Sequence, residues 1–478
     1  MSGKSMTTWT KDITDMKDFK FQKVLSPLQA WSYAYGCIMC WGAFVMTATM
    51  FLPQGGVVGS LLAYPVGGFF IILIAMNYHY LSSLCPANGG IFYLLQNTMG
   101  RGHAFAASWA ICFAHLLIIP LNARALAQLI RAVMLEYFQV EYHVLIPGTK
   151  VLVVDFFLIF LTLICFAYVN FKGIRVSASV QTTGAVILAA GIVLMFFMAL
   201  FSGVDIREKM TPAFYPGSDP VVSFMLIFIM IPWAFVGFDS APALSREAAF
   251  SKKLLGKIMI MAILFGTFSY MSHIVITLLG APQPWPEYVH NIGKGLESIA
   301  VVAAIRRLYG TGGLILALIT LLGGIVTGVN GSIANVSRLF YTMSRSNSLF
   351  PVLGKTNDKG VPDRAINSAV IASLVLVLIS TTFNTVEMVA SICTAFGYGY
   401  CSLSALLNAR KQGNRRYMFT GATGLLVCIV WLVFLSIPIL PIKSFLSAKL
   451  YVSLGVWVFI GIWGYAITCR KPDTILDT

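Results

Sequence analysis

Twelve apolar stretches follow one another along this chain, each long enough to cross a lipid bilayer. A spanning helix needs about 20 apolar residues. The stretches cover residues 27–52, 57–84, 102–133, 148–170, 177–202, 220–244, 255–280, 311–345, 366–383, 385–409, 417–439 and 446–469. Those at 102–133 and 311–345 must tilt or protrude. Inside hydrocarbon every backbone polar group needs a partner within the protein, so only helices and closed barrels span. Runs of this length predict an all-α integral membrane protein with about twelve transmembrane helices.

Charge points the same way. Hydrophobic residues make up 58% of the 478 and charged residues 11%, against about 45–50% and about 25% in soluble domains. So few charges could not cover a surface in water. The net charge of +15 comes from 33 basic and 18 acidic residues. A nucleic-acid binder would gather its Lys and Arg into a stripe on a polar domain. Here they form short clusters between apolar runs, as in loops that obey the positive-inside rule. The expected partner is the bilayer, not nucleic acid. Twelve spans put both termini on one side, and that side collects 23 of the 33 basic residues, from Lys4 to Lys471. This predicts a multi-pass protein of the plasma (inner) membrane with both ends cytoplasmic. Residues 1–26 and 470–478 are its tails. Five lysines precede Val24 without an early apolar stretch, so no cleaved signal peptide is expected.

Little in the chain suggests bond-making chemistry. Most of the nine cysteines lie inside apolar runs. Cys37-Ile-Met-Cys40 has redox spacing, but it falls in a membrane helix, where Cys serves as a small apolar filler. The six histidines (79, 103, 115, 143, 273 and 290) make no helical i, i+4 pair, and no G-x-x-x-x-G-K-[ST] loop occurs. No metal, cofactor, ATP site or catalytic residue is expected, and an enzyme is not the reading. Gly55/Gly59 and Gly324/Gly328 are small-xxx-small pairs suited to packing within one chain, which leaves the oligomeric state open. The stretch 282–309 is a loop with room for a short amphipathic helix. It is either a gate or an interfacial helix anchored by Trp285 and Tyr288.

Two of the twelve helices are interrupted. The first reads Gly36-Cys-Ile-Met-Cys-Trp-Gly42-Ala-Phe44, then Pro53, Gly55 and Gly56. The sixth reads Pro232-Trp-Ala-Phe-Val-Gly237-Phe-Asp239-Ser-Ala-Pro242. Gly costs about 1 kcal/mol in a helix relative to Ala, and Pro about 3. Gly42 and Gly237 lie five helices apart. Breaks at matching places in two halves point to an inverted-repeat transporter. Freed amides and carbonyls cannot face lipid, so they line a cavity. Half-helix N-termini attract a carboxylate, and half-helix C-termini attract an ammonium or a cation. A zwitterion suits both.

Asp239 sits at the second break, while Asp155 and Glu387 fall near helix ends, which makes Asp239 the deepest acid expected. It is either functional or a cap on the second half-helix. His115 and Asn122, seven apart, share a helix face. His115 is either a hydrogen-bonded packing residue or part of a relay. Arg124 either snorkels to the outer surface or faces the cavity.

The motifs resemble the amino acid–polyamine–organocation (APC) superfamily of permeases. Residues 36–44 resemble its first-helix G-x-x-I-G-S-G-I-F signature. Pro86-Ala-Asn-Gly89-Gly90-Ile-Phe-Tyr93, with Gly100, Phe105 and Trp109, resembles its segment after helix 2. Asn170 to Gln181 resembles the start of helix 5. Phe235-Val-Gly237-Phe238-Asp239 with Glu247 resembles the sixth-helix F-x-G-F-E…E pattern. Arg338-Leu-Phe-Tyr341-Thr-Met-Ser-Arg345, Leu349, Pro351 and Val361-Pro362 resemble the end of helix 8.

The resemblance implies a five-plus-five inverted-repeat core, helices 1–5 in 27–202 and helices 6–10 in 220–409, with two additional helices in 417–469. It implies a midplane substrate site. There Cys40, Trp41, Gly42 and Ala43 would offer amides to a carboxylate. Phe235, Val236 and Gly237 would offer carbonyls to an amine. Phe238 would gate and Asn122 would line the site. Asp239, His115 and Arg124 are the candidates for coupling or gating. The chain departs from the family pattern in three places. Cys40-Trp41 replaces Gly-Ser, Tyr80 stands where an acid is usual, and Leu188 stands where some proton-coupled members carry lysine. The implied function is secondary active transport of a small amino acid by alternating access, as an ion symporter or an exchanger. A proton or sodium would be the coupling ion. An amine permease of ethanolamine or polyamine type and a substrate sensor on a transporter scaffold are the alternatives.

Overall fold

A computed structural model describes residues 23–85, 90–147, 149, 151–293, 295–379, 383–437 and 448–469. The expected tails, apart from residues 23–26, and the Pro86–Gly89 part of the motif after helix 2 lie outside these. Every named element among the described residues is helical, with only isolated β-bridges between extended residues. In chain order the helices are α1 (Pro27–Ile38), α2 (Gly42–Met46), α3 (Leu52–Leu84), α4 (Gly90–Met99), α5 (Arg101–Phe138), α6 (Val153–Phe171) and α7 (Ile174–Leu200). They continue as α8 (Pro220–Phe228), α9 (Ile231–Ala234), α10 (Ser240–Ala243), α11 (Lys252–Leu279), α12 (Trp285–His290) and α13 (Ala300–Arg345). The last are α14 (Asp363–Leu378), α15 (Phe383–Gln412), α16 (Arg415–Ser436) and α17 (Ala448–Cys469).

Local chemistry sets several of these boundaries. Ser26 starts α1 with a capping box: Gln29 N–H donates to its hydroxyl at 3.3 Å, and its own N–H donates to Gln29 Oε1 at 2.9 Å. Pro27 fills the first helical position, where no N–H is needed. A π-helical turn, Thr47–Phe51, joins α2 to α3. The expected gap before residue 57 is therefore helical, and the chain bends at Gly56 instead. Gly310 divides α13 with φ 59°, a left-handed conformation that glycine adopts without steric cost. The expected span from 311 is thus preceded by a further helical segment at 300–309.

Nine helices among the described residues are long and apolar enough to cross a membrane. Twelve were expected, and the shortfall has physical causes. The first and sixth stretches are cut into pieces too short to span alone, and α14 is 16 residues long. Exposed apolar side chains such as Phe157, Leu161, Phe201, Phe419 and Phe459 would be costly in water and suit a lipid-facing surface. The interior holds the polar groups: Asn122, Gln181, His273, Asn330 and Asn335 are all fully buried.

Helix α1 packs against α7, α11 and α13, while α5 packs against α13 and α15. The last helix, α17, touches α5 and α15 from the periphery. The loop of 282–309 is not an interfacial anchor. Trp285 and Tyr288 are buried, and Trp285 Nε1 donates to the Pro212 carbonyl at 2.8 Å. Their rings tie the loop to the protein, because an indole N–H and a large apolar face are both satisfied there.

A buried ion pair lies beside Val24 and Leu25, near the first of the described residues. Arg338 Nη2 donates to Glu247 Oε1 at 2.9 Å, both side chains being nearly inaccessible. The Glu247 carbonyl also accepts from Val24 and Leu25 N–H, each at 2.9 Å. Removing one partner of a buried pair leaves an uncompensated charge, at a cost of about 3–5 kcal/mol. Glu247→Ala should therefore lower the melting temperature in detergent, and adding Arg338→Met should restore part of the loss. An E247A protein that melts with its parent would show that the pair contributes no stability.

Candidate functional site

Both breaks form, and they touch. After α1 the chain leaves helical geometry at Met39, whose ψ is 65°, and resumes at Gly42. After α9 it passes through Phe235–Asp239 before α10. Gly237 has φ 133°, a conformation few residues but glycine adopt. A Cβ placed on it would lie 2.6 Å from Cys37 Cβ, 2.7 Å from Cys37 C and 2.7 Å from Ile38 N. The second break therefore lies directly on the end of α1, with no room for a methyl group.

A helix that stops leaves its last carbonyls without intrahelical donors. Side chains from other helices supply the donors here. Thr327 Oγ1 donates to Gly36 O at 3.1 Å. The Tyr270 hydroxyl lies 3.2 Å from Ile38 O and 2.9 Å from Ala234 O, so one proton is shared between the carbonyl ends of α1 and α9. Gln181 Nε2 donates to Ser32 O and Thr327 O, and Asn330 Nδ2 holds Gln181 Oε1 at 2.8 Å. On the other half of the first break, His273 Nδ1 meets Ala43 O at 3.2 Å. A carbonyl only accepts, so Nδ1 is the protonated nitrogen.

The predicted amide cluster is mostly occupied from within. Trp41 N–H donates to Asn122 Oδ1 at 3.1 Å, Ala43 N–H to Cys40 O at 3.2 Å, and Phe44 N–H to Trp41 O at 3.0 Å. Asn122 thus presents a carboxamide oxygen where a ligand carboxylate oxygen could stand. At the second break, Gly237 O accepts from Ser240 N–H at 2.9 Å and Phe235 O from Phe238 N–H at 3.5 Å. Each carbonyl has a second lone pair for a ligand. Phe238 packs edge-on to Tyr78 at 5.6 Å and beside Tyr398 at 5.0 Å. It is held in an aromatic cluster and would have to leave it to act as a gate.

Asp239 and His115 are a pair. His115 Nε2 lies 3.1 Å from Asp239 Oδ2, with both groups buried. Asn335 Nδ2 approaches His115 Nδ1 at 3.5 Å and donates to Ser240 Oγ at 2.5 Å. With Nδ1 accepting, Nε2 carries the proton and donates to the carboxylate. Asp239 Oδ1 accepts backward from Gly237 N–H at 3.1 Å and makes no forward cap on α10. One face of α5 therefore serves both breaks, His115 the second and Asn122 the first. Arg124, half-buried, acts on Asp155, which is ion-paired with Arg131 at 2.6 Å.

An open cleft of about 490 Å³ enters from the side opposite the Arg338–Glu247 seal. It is lined by Gln128, Arg131, Glu141, His143 and Ser298 and ends at Trp41. Of the residues expected at the site, Trp41 alone lines this cleft; Cys40, Ala43, Asn122, Phe235, Val236 and Phe238 are buried. The three departures are all accommodated. Tyr80 donates to Gln412 Oε1 at 3.0 Å, and Leu188 is buried against Gly323 and Gly324. Trp41 forms the floor of the cleft. Tyr270, His273, Asn335 and Glu387 are the functional candidates that sequence alone did not single out. Glu387 was expected near a helix end and is there, yet it is 1% exposed against 6% for Asp239, because Thr385, Val386 and Glu387 of α15 are all buried.

Among the described residues no group of three His, Cys, Asp or Glu could hold a metal. The two breaks bring amides and carbonyls together, and a cleft ends at Trp41 on the first of them. Gly237→Ala is expected to force the breaks apart, costing about 1–3 kcal/mol and abolishing solute binding measured by thermal shift; unchanged binding would mean the contact is not part of the site. Tyr270→Phe leaves two buried carbonyls short of a donor and should cost about 1–3 kcal/mol, read as a lower melting temperature.

Comparison with known sequences completes the description of the site. A family profile described as amino acid permease matches residues 25–463. A branched-chain amino acid permease of Lactococcus lactis is 23% identical over 422 residues, covering 83% of this chain and 84% of that one. An L-methionine/branched-chain amino acid exporter of Escherichia coli is 21% identical, with 82% and 86% covered. The large neutral amino acids transporter small subunit 2 of Homo sapiens is 24% identical, with 79% and 68% covered.

Proposed function

The chain belongs to the amino acid permease family, and from that premise we propose that it is a secondary active transporter of a small neutral amino acid working by alternating access. The observation that carries this reading is Asn122. Its carboxamide oxygen sits on the Trp41 amide at the first break, beside a second break whose carbonyls have spare lone pairs. A substrate carboxylate takes the place of Asn122 Oδ1 on the Trp41 amide, and the neighbouring amides of Cys40, Gly42 and Ala43 turn to it. The ammonium turns to the carbonyls of Phe235, Val236 and Gly237. Charge-assisted bonds of this kind are about twice as strong as neutral ones, so a zwitterion displaces the asparagine. The relatives named for branched-chain, methionine and large neutral amino acids support an apolar side chain on the substrate.

The twelve-span count and the five-plus-five inverted repeat belong to this reading. The first repeat is 27–202, the second 220–409, and 417–469 adds two helices. Matching breaks at Gly42 and Gly237 support the repeat. The excess of Lys and Arg on the terminal side supports a plasma-membrane protein with both ends in the cytoplasm. The open cleft then faces outward, and the Arg338–Glu247 pair closes the inner side. Transport proceeds as ion symport or as exchange, and Phe238 and Trp41 are the aromatic groups that would move.

Counterflow in proteoliposomes tests the reading, with labelled neutral amino acids set against labelled amines and no ion gradient. Accumulation of a neutral amino acid is expected. Asn122→Asp places a like charge beside the carboxylate position and should reduce that accumulation by more than about tenfold, since like charges at close range cost several kcal/mol. Counterflow of an amine alone would show that the first-break amides hold no carboxylate. Absence of all counterflow from folded protein would favour a substrate sensor.

A further inference from the structure

Glu387 is the one acid whose two carboxyl oxygens are both buried with no hydrogen-bond partner among the described residues. It lies one turn into α15, which packs against α3, α5 and the short α9 that leads into the second break. No Lys, Arg or His among the described residues forms an ion pair with it. Of the charged groups on α5, His115 pairs with Asp239, Arg131 with Asp155 and Glu136 with Arg306. The tyrosines that feel the Glu387 carboxyl are Tyr64 of α3 and Tyr270 of α11. Those two rings are stacked at 4.5 Å, and the Tyr270 hydroxyl is the donor shared by the carbonyl ends of both breaks.

An ionised carboxylate with neither counter-ion nor hydrogen bond is costly inside a membrane protein. The neutral acid carries no such cost. Water that reaches the group removes the difference. The sealed arrangement therefore binds a proton more tightly than an open one, and a ligand with such a differential affinity shifts the equilibrium between the two.

We propose that Glu387 is a proton-binding site of the carrier, protonated while its carboxyl is buried as it is here and exchanging its proton with water when the helices around the breaks part. In the exchange the carboxyl O–H bond breaks, the electron pair stays on the carboxylate and the proton passes to water. Resealing of those helices takes up one proton, and the tyrosine pair links that event to the carbonyl ends of α1 and α9, next in sequence to the carbonyls assigned to the substrate ammonium. The inference rests on the carrier reading and gives it a coupling ion.

The test uses the full chain in proteoliposomes with a pH-sensitive dye in the lumen and the amino acid identified by counterflow. With the outside one pH unit more acidic, the wild type should accumulate substrate up to about tenfold, the limit for one proton per substrate, and substrate should acidify the lumen. Glu387→Gln should retain counterflow and lose both responses. Glu387→Asp should keep coupling with a shifted pH profile. If E387Q does not fold, the wild-type dye signal and the E387D profile decide. Wild-type counterflow without lumenal acidification overturns the inference and leaves the carrier reading standing. The same holds if E387Q responds to the gradient as the wild type does, or changes only its preference between neutral and cationic substrates. No counterflow at all from folded wild type overturns both.

Discussion

A backbone that stops being helical inside a membrane must have its freed amides and carbonyls satisfied by other parts of the protein, and the interior here is arranged around that requirement. Lipid offers no hydrogen bonds, and each unsatisfied group costs several kcal/mol. Hydrogen-bonding side chains therefore converge on the two breaks from three directions. Helix α11 sends Tyr270 and His273, α13 sends Thr327, and α5 sends the Asn122 carboxamide oxygen to the Trp41 amide. Behind them Gln181 and Asn330 hold the second layer. These buried polar groups contribute little net stability while paired. Their effect is to make the broken backbone a defined structure rather than a defect.

The same requirement explains why the breaks touch. Two interrupted segments can share donors only if they lie side by side, and Tyr270 spans both because Gly237 lets α1 approach to contact. Each side chain removed at that contact brings the freed carbonyls closer to one another and leaves a site of two polarities. Asymmetry enters elsewhere. On the terminal side the Arg338–Glu247 pair and the backbone of Val24 and Leu25 tie helices together, while on the opposite side a cleft runs in as far as Trp41. An access path that is open at one end and sealed at the other by reversible polar contacts is what alternating access needs from a resting conformation.

Much of this was legible in the residues. Apolar run length gave the helical membrane architecture, and Gly42 and Gly237 marked both breaks. His115 and Asn122, read as one helix face, do serve the two breaks together. What could not be read was tertiary. Tyr270 and His273 lie in an ordinary apolar helix with no local signal, and their role depends on where α11 is docked. Trp285 looked like an interfacial anchor because an aromatic in a loop beside a membrane usually is one; its burial comes from Pro212, more than 70 positions away. Glu387 was discounted for its position near a helix end. Distance along a helix measures depth only when the helix end is at the surface, and the start of α15 is not.

Asp239 and Glu387 show how differently two buried acids can be used. The ionised form of Asp239 is already provided for: the Gly237 amide meets one oxygen and His115 the other. A carboxyl so held is part of the architecture of the second break. Glu387 has the opposite surroundings, buried with no hydrogen bond to either oxygen. Its neutral form fits the closed protein and its ionised form does not. A group whose charge state must change with each opening needs such an imbalance, because a proton can drive a conformational change only by as much as its affinity differs between the two states. The acid with no hydrogen-bond partner, rather than the one at the break, is therefore the group suited to carry the coupling ion.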